Sequence, residues 1–203
     1  MASPALIAHS SLTGVTRLGR YGARGDSPPG VVLSERSGLA IAHVAARKGK
    51  AKEVAQGLAG LVGTAPADAP GCVMGEGMAV VGCAPAQWFV YIEGSDRSAR
   101  TARLTEALGA SASIIDHASG KVVIRMTGPR SRDVLMKGCA IDLDPRVFVP
   151  GSAAVTEIAH IGCQLWQADD KPTFDLVVNR SIAKSFWSWL TASAAEFGYE
   201  VIV

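Results

Sequence analysis

The chain has 203 residues, of which 48% are hydrophobic and 19% charged, and a net charge of +2. That is enough chain for one large domain or two small ones on a shared core, with the composition of an ordinary globular protein. The near-neutral balance argues against a nucleic-acid binder, and no apolar run approaches the roughly 18 residues of a membrane span.

Residues 1–36 carry no sustained period of 2 or 3.6, and Gly14, Gly19, Gly22, Gly25, Pro28, Pro29 and Gly30 punctuate them. Such a segment cannot fold alone. It is still not a polar tail, because Leu6, Ile7, Leu12, Val15, Leu18 and Tyr21 are spread along it. Within residues 1–30 Arg17, Arg20 and Arg24 stand against Asp26 alone, while residues 31–203 hold 17 basic and 17 acidic side chains. The excess charge therefore sits on an extended arm expected to order against another surface, with its three arginines as partner contacts. No charged start followed by an apolar core marks a secretory signal, so a cytoplasmic location is expected.

A first unit follows over residues 37–118. The patterns predict a strand over 39–45, a helix over 51–62, strands over 78–83 and 88–93, a helix over 97–108 capped by Ser95 or Asp96, and a strand over 113–117. A second unit over 119–203 repeats that rhythm. It has a strand over 121–126, a helix over 129–137, strands within 153–161, 164–167 and 173–178, a helix over 181–197 stopped by Gly198, and a strand over 199–203. Two successive split βαβ-type units with largely antiparallel sheets imply an α+β fold packed as one body.

The stretch from Thr127 to Phe148 is the most distinctive. A strand turns at Gly128-Pro129, where Pro129 suits a first helical turn, and a short helix runs to Gly138, which suits a left-handed end. Arg130, Arg132 and Arg146 on this module have no nucleophile-and-base pair beside them and are read as structural or intersubunit salt-bridge formers. Asp142 and Asp144 look like turn-forming side chains. In the last helix Ile182, Phe186, Trp189, Leu190 and Phe197 form the expected core stripe. Trp187 lies about 100° from Phe186, which predicts a partly exposed interface residue.

Other chemistry is sparse. Cys72, Cys83, Cys139 and Cys163 have no metal or redox spacing and read as reduced, mostly buried thiols. The four histidines (His9, His43, His117, His160) are scattered, so no metal site is expected. The basic run from Arg47 to Lys52 lacks both a phosphate-loop signature and an aromatic platform, and reads as a solvated loop. Arg97, Arg100 and Arg103 line a solvated helical face. Gly71, Gly75, Gly77 and Gly82 do not have the spacing of a dinucleotide fingerprint. Asp116 and His117 point to opposite faces of a strand, which defeats a proton relay.

The motifs Gly128-Pro129-Arg130, Asp133-Val134-Leu135, Lys137-Gly138-Cys139, Asp142-Leu143, Pro145-Arg146 and Phe148 resemble the gamma subunits of heterotetrameric sarcosine oxidases. Gln87-Trp88 and Phe186-Trp187-Ser188-Trp189-Leu190 followed by Glu196-Phe197-Gly198 extend the match over about residues 33–198. Gly128-Pro129, Leu135 and Asp142-Leu143 are also similar to the wider folate-binding aminomethyltransferase superfamily. The resemblance implies an aminomethyltransferase-like fold and a structural role in a complex that oxidatively demethylates sarcosine or, in related complexes, N-methylglutamate. It further implies no cofactor on this chain, with FAD, FMN, NAD, tetrahydrofolate and zinc on partner subunits, alpha as the main contact, and beta and delta beside it. Two alternatives remain open from the residues: a stand-alone tetrahydrofolate-dependent aminomethyltransferase using Asp116, and a nucleic-acid module using residues 47–52 and the arm.

Overall fold

The computed structural model describes residues 9–23, 28–94 and 96–203, with the side chain of Arg97 outside the description. Leu6, Ile7, Arg24 and Ser95, to which the sequence assigned roles, lie outside the described residues. In chain order the elements are β1 (Gly19–Tyr21), β2 (Val31–Glu35), β3 (Ala40–Ala46), α1 (Ala51–Val62), β4 (Cys72–Gly75), β5 (Met78–Ala84), β6 (Gln87–Ile92), α2 (Arg97–Leu108) and β7 (Ala112–Asp116). Then come β8 (Lys121–Thr127), α3 (Ser131–Met136), β9 (Ala153–Ile158), β10 (Ile161–Asp169), β11 (Thr173–Asn179), α4 (Ala183–Ala194) and β12 (Tyr199–Ile202).

The strands form a five-stranded sheet, β4-β5-β6-β3-β7, and a seven-stranded sheet, β1-β12-β2-β8-β11-β10-β9. β12 and β2 run parallel, and the other described pairings are antiparallel. The two sheets pack face to face with helices on both outer sides. Strand alternation makes this possible: on β10, Leu165 faces the helices while Trp166 faces the other sheet. The layer between the sheets is built from Ile41, Val81, Tyr91, Val123, Trp166 and Val177. Val54, Leu58 and Leu61 of α1, spaced one helical turn apart, join Leu104 and Leu108 of α2 over the five-stranded sheet. α1 ends where Gly63 turns left-handed at φ 84° and returns its N–H to the Ala59 carbonyl.

Three expectations change here. The arm does not extend to residue 36: Val31–Glu35 is an interior strand between β12 and β8, so the whole five-stranded unit is an insertion between two paired strands. The surface that orders the described arm residues is partly the chain's own. Leu12 is fully buried in the helix-side core, Ser10 donates to Glu35 at 2.6 Å, and β1 pairs with β12. Asp96 does not cap α2 through its side chain, because its carboxylate pairs with Arg100 at 2.8 Å.

β4, in a glycine-rich stretch where the patterns predict no strand, pairs with β5 through a two-residue turn. Glu76 (φ 47°) and Gly77 (φ 71°) both take the left-handed conformation this hairpin needs. Removing the Leu12 side chain tests the arm's anchoring: Leu12→Ala should lower unfolding free energy by about 2–5 kcal/mol, read as a fall in urea midpoint. A change below roughly 0.5 kcal/mol, the usual range for surface substitutions, would mean the arm is not part of the core.

Candidate functional site

The turn after β8 is a crossing point of backbones. Gly128 has φ 113°, and a Cβ there would lie 2.5 Å from the Gly30 carbonyl oxygen. That carbonyl accepts the Arg130 N–H at 3.0 Å, while the Gly30 N–H donates to Phe197 O at 3.1 Å. Pro129 precedes the helix, which runs only from Ser131 to Met136. Gly138 does not adopt a left-handed conformation. It is required for space, since a Cβ would lie 2.6 Å from the Trp189 ring and 3.1 Å from Ala159 N.

The arginines of this stretch have partners within the chain. Arg132 donates to the Leu143 carbonyl, to Phe148 O at 2.9 Å and to Gln167 Oε1 at 2.8 Å, with its guanidinium 5.3 Å from the Phe174 ring centre. It ties the exit turn to β10. Arg130 pairs with Asp133 at 3.1 Å and lies 4.4 Å over the Phe197 ring. Asp144 accepts from the Arg146 backbone at 2.8 Å and from its guanidinium at 2.9 and 2.8 Å. The Arg146 hydrogen bonds hold the Asp144 carboxyl below the usual range.

The buried centre of charge lies elsewhere, at residues the sequence reading did not single out. Asp175 of β11 is 0% exposed and accepts Arg125 Nε at 2.9 Å, Arg125 Nη2 at 2.7 Å and Arg36 Nη1 at 2.9 Å. Arg36 also reaches Glu93 at 2.5 Å, so one arginine in the β2–β3 crossover joins the two sheets. The sequence did hold a signal, because Arg125 and Asp175 each interrupt an otherwise apolar strand whose neighbours are buried.

The predicted contact residues separate into two groups. Arg17 is exposed, and Arg20 pairs with Glu200 at 3.5 Å on the sheet edge where Leu18 is 61% exposed. Arg130 and Arg146 make the intrachain pairs described above. Trp187 is corrected: it is 4% exposed and lies inside the helix-side core, while Trp189 takes the edge of the stripe. The stripe centres on Ala183, Phe186, Trp187, Leu190 and Ala194, which rotates the helix from its expected setting.

Reactive geometry is sparse among the described residues. Burial pushes the Cys72 and Cys163 thiols up to about 12 and raises those of Cys83 and Cys139. No group of three or more His, Cys, Asp or Glu side chains is placed to hold a metal ion among the described residues. The glycine-rich 71–82 stretch is a hairpin with no helix after it, so it does not fit a dinucleotide phosphate. Asp116 lines a groove of about 500 Å³, yet its Oδ1 accepts the Ala118 N–H at 2.8 Å, a turn-closing role. No helix among the described residues is long and apolar enough to cross a membrane.

His43 is the histidine whose environment matters. Its ring lies 4.9 Å from Phe89 and 5.9 Å from His117, with Nε2 3.1 Å from Gln87 Oε1. Burial holds its pKa below the ordinary 6.5, the charges of His117 and Lys121 act in the same direction, and the Gln87 hydrogen bond opposes them. The unfolded chain therefore binds this proton more readily. His43 contributes stability at pH above 6.5 that is lost as pH falls through its lowered folded value. Thermal midpoints taken from about pH 7.5 down to 5 should fall less steeply in His43→Gln; parallel slopes would remove His43 from the account.

A sequence model of the Sarcosine oxidase, gamma subunit family matches residues 52–196. The sarcosine oxidase subunit gamma of an Arthrobacter species is 32% identical over 181 residues, covering 87% of each chain. That of Corynebacterium sp. strain P-1 is 30% identical over 149 residues, covering 71% of each. Among solved structures, a chain of the heterotetrameric sarcosine oxidase from Corynebacterium sp. U-96, in complex with pyrrole 2-carboxylate, superimposes with a TM-score of 0.72 at 27% identity, covering 82% of this chain and 85% of that one. The glycine cleavage system aminomethyltransferase T from Bartonella henselae, at 12% identity and a TM-score of 0.60 over 86% of this chain and 48% of that one, shares the fold. The chain belongs to the sarcosine oxidase gamma subunit family.

Proposed function

We propose that the chain is a non-catalytic assembly subunit of a flavin-dependent oxidoreductase complex that oxidatively demethylates sarcosine or a related N-methyl amino acid. The observation that carries this reading is the extensive likeness to a chain of a heterotetrameric sarcosine oxidase, over 82% of this chain and 85% of the other. Local chemistry supports it. The charged groups of residues 127–148 find their partners within this chain, among themselves, at backbone carbonyls and at Gln167 and Glu196, and burial raises the pKa of all four thiols. On this reading FAD, FMN, NAD, tetrahydrofolate and zinc belong to the alpha, beta and delta subunits, with alpha as the main contact.

Part of the contact face is the β1–β12 edge, where Arg17 and Arg20 stand beside the exposed Leu18, Tyr21 and Ile202. Obligate interfaces combine apolar area with arginine in this way. Purification of the isolated chain tests the reading. It should show no flavin absorbance, no sarcosine or N-methylglutamate turnover and no binding of tetrahydrofolate. A yellow preparation that turns over either amine unaided would overturn it.

A further inference from the structure

The two crossovers between the sheets and the turn before α4 enclose a groove of about 460 Å³, lined in part by Glu35, Arg36, Lys121 and Arg180. A shallower depression of about 700 Å³ continues it, sharing Ser10 and Arg180 and adding Lys184. Four residues with cationic side chains, Arg36, Lys121, Arg180 and Lys184, thus line one continuous surface, with Glu35 as the carboxylate among the described lining residues.

The partners of these groups decide which charges are available. Glu35 is held by Ser10 at 2.6 Å, and Arg36 is engaged by Asp175 and Glu93. Among the described residues Lys121 meets a neutral acceptor, Asn179 Oδ1, at 2.8 Å, and the ring face of Phe89, and makes no ion pair. Arg180 donates to the His9 backbone carbonyl, which leaves most of its guanidinium donors unused. Lys184 makes no ion pair among the described residues. It also sits in the first turn of α4, which has no acidic residue and no side-chain cap. A cation at that end of a helix opposes the macrodipole, so the local field is doubly positive.

We propose that this groove receives an acidic segment, carrying Asp or Glu side chains, of the larger partner subunit in the complex. The inference rests on the subunit reading above. Charge complementarity selects the partner: three cations, Lys121, Arg180 and Lys184, with no carboxylate partner among the described residues line an open, elongated surface, which suits a run of carboxylates better than one small anion.

The test uses the full chain co-expressed with the alpha, beta and delta subunits of its own source, comparing wild type with Arg180→Glu/Lys184→Glu. Both substituted side chains are exposed, so the variant should match wild type in circular dichroism and thermal midpoint. Its recovery in the complex should fall by about tenfold or more, and Arg180→Lys should recover most of the loss. Wild-type assembly should weaken as salt rises toward about 1 M, where the Debye length is about 3 Å. A poly-glutamate peptide should bind the isolated wild-type chain and not the variant, and binding of inorganic phosphate without the peptide would overturn the assignment of an acidic segment. Equal assembly by the folded double variant would overturn the groove proposal while leaving the subunit reading intact. Failure of the wild type to assemble would instead remove the subunit reading and the groove proposal with it.

Discussion

Asp175→Ala should lower the unfolding free energy by about 3–5 kcal/mol, the largest loss expected from a single side chain. Asp175 is fully buried, and it is the carboxylate that faces both Arg36 and Arg125. Its removal leaves two guanidinium groups close together, with Arg36 only 12% exposed and Glu93 as its remaining partner. Uncompensated buried charge, rather than the lost Coulomb energy, sets the size of the effect. Because Arg36 links the crossover to Glu93, the damage should spread to the contact between the sheets. Urea unfolding should show a lower midpoint with an unchanged slope. Replacing the whole cluster, Arg36→Met and Arg125→Met with Asp175→Leu, should recover much of the loss, since apolar residues of similar volume replace a buried charged triad with little penalty. A single-mutant loss below about 1 kcal/mol would mean that water reaches the site and screens it.

Gly128→Ala should cost roughly 3 kcal/mol or more, from two sources. Its φ of 113° is one that side-chain-bearing residues rarely adopt, which alone costs about 1–3 kcal/mol. The added Cβ would also press on the Gly30 carbonyl at 2.5 Å and the Val31 Cα at 3.1 Å, both backbone atoms that cannot rotate away. Gly60→Ala is the matched control. It lies inside α1 with nothing within 4 Å of the added Cβ, so the same substitution should stabilise by about 0.5–1 kcal/mol. A Gly128→Ala variant as stable as wild type would mean that β8 and β2 separate without cost at this crossing.

The amphipathic helices were legible from the sequence to the residue, because α1 and α2 advertise their buried faces through leucines and valines one turn apart. The rotation of α4 was not. Its stripe was anchored on the large Ile182 and Trp189, whereas the small Ala183 and Ala194 mark the buried centre and bring Trp187 inside. β2 was hidden for a different reason. It lies far in sequence from β8 and β12, so no local pattern reveals that pairing them encloses the five-stranded insertion. The hairpin at β4–β5 was obscured by glycines needed for close approach, as at Gly75, where a Cβ would collide with the Val62 carbonyl.

The distinctive 127–148 stretch forms the expected strand, turn and short helix, but the helix spans Ser131–Met136 rather than 129–137. Gly138 serves packing against Trp189 rather than helix termination. Of its arginines, Arg130 pairs with Asp133 beside Phe197 and Arg146 pairs with Asp144 within the turn, whereas Arg132 makes no ion pair among the described residues and instead gathers the exit turn onto β10 through neutral acceptors. The Arg36–Asp175–Arg125 cluster escaped notice because its members are 50 and 139 residues apart and meet only in the folded chain.

The central claim, that this chain assembles with catalytic partners rather than catalysing alone, is tested most directly by affinity capture of the tagged chain from cells that also express the alpha, beta and delta subunits. The account predicts stoichiometric recovery of larger flavin-bearing chains together with amine-oxidising activity, and a colourless, inactive chain when it is expressed alone. Recovery of the tagged chain by itself, with flavin and activity of its own, would contradict it.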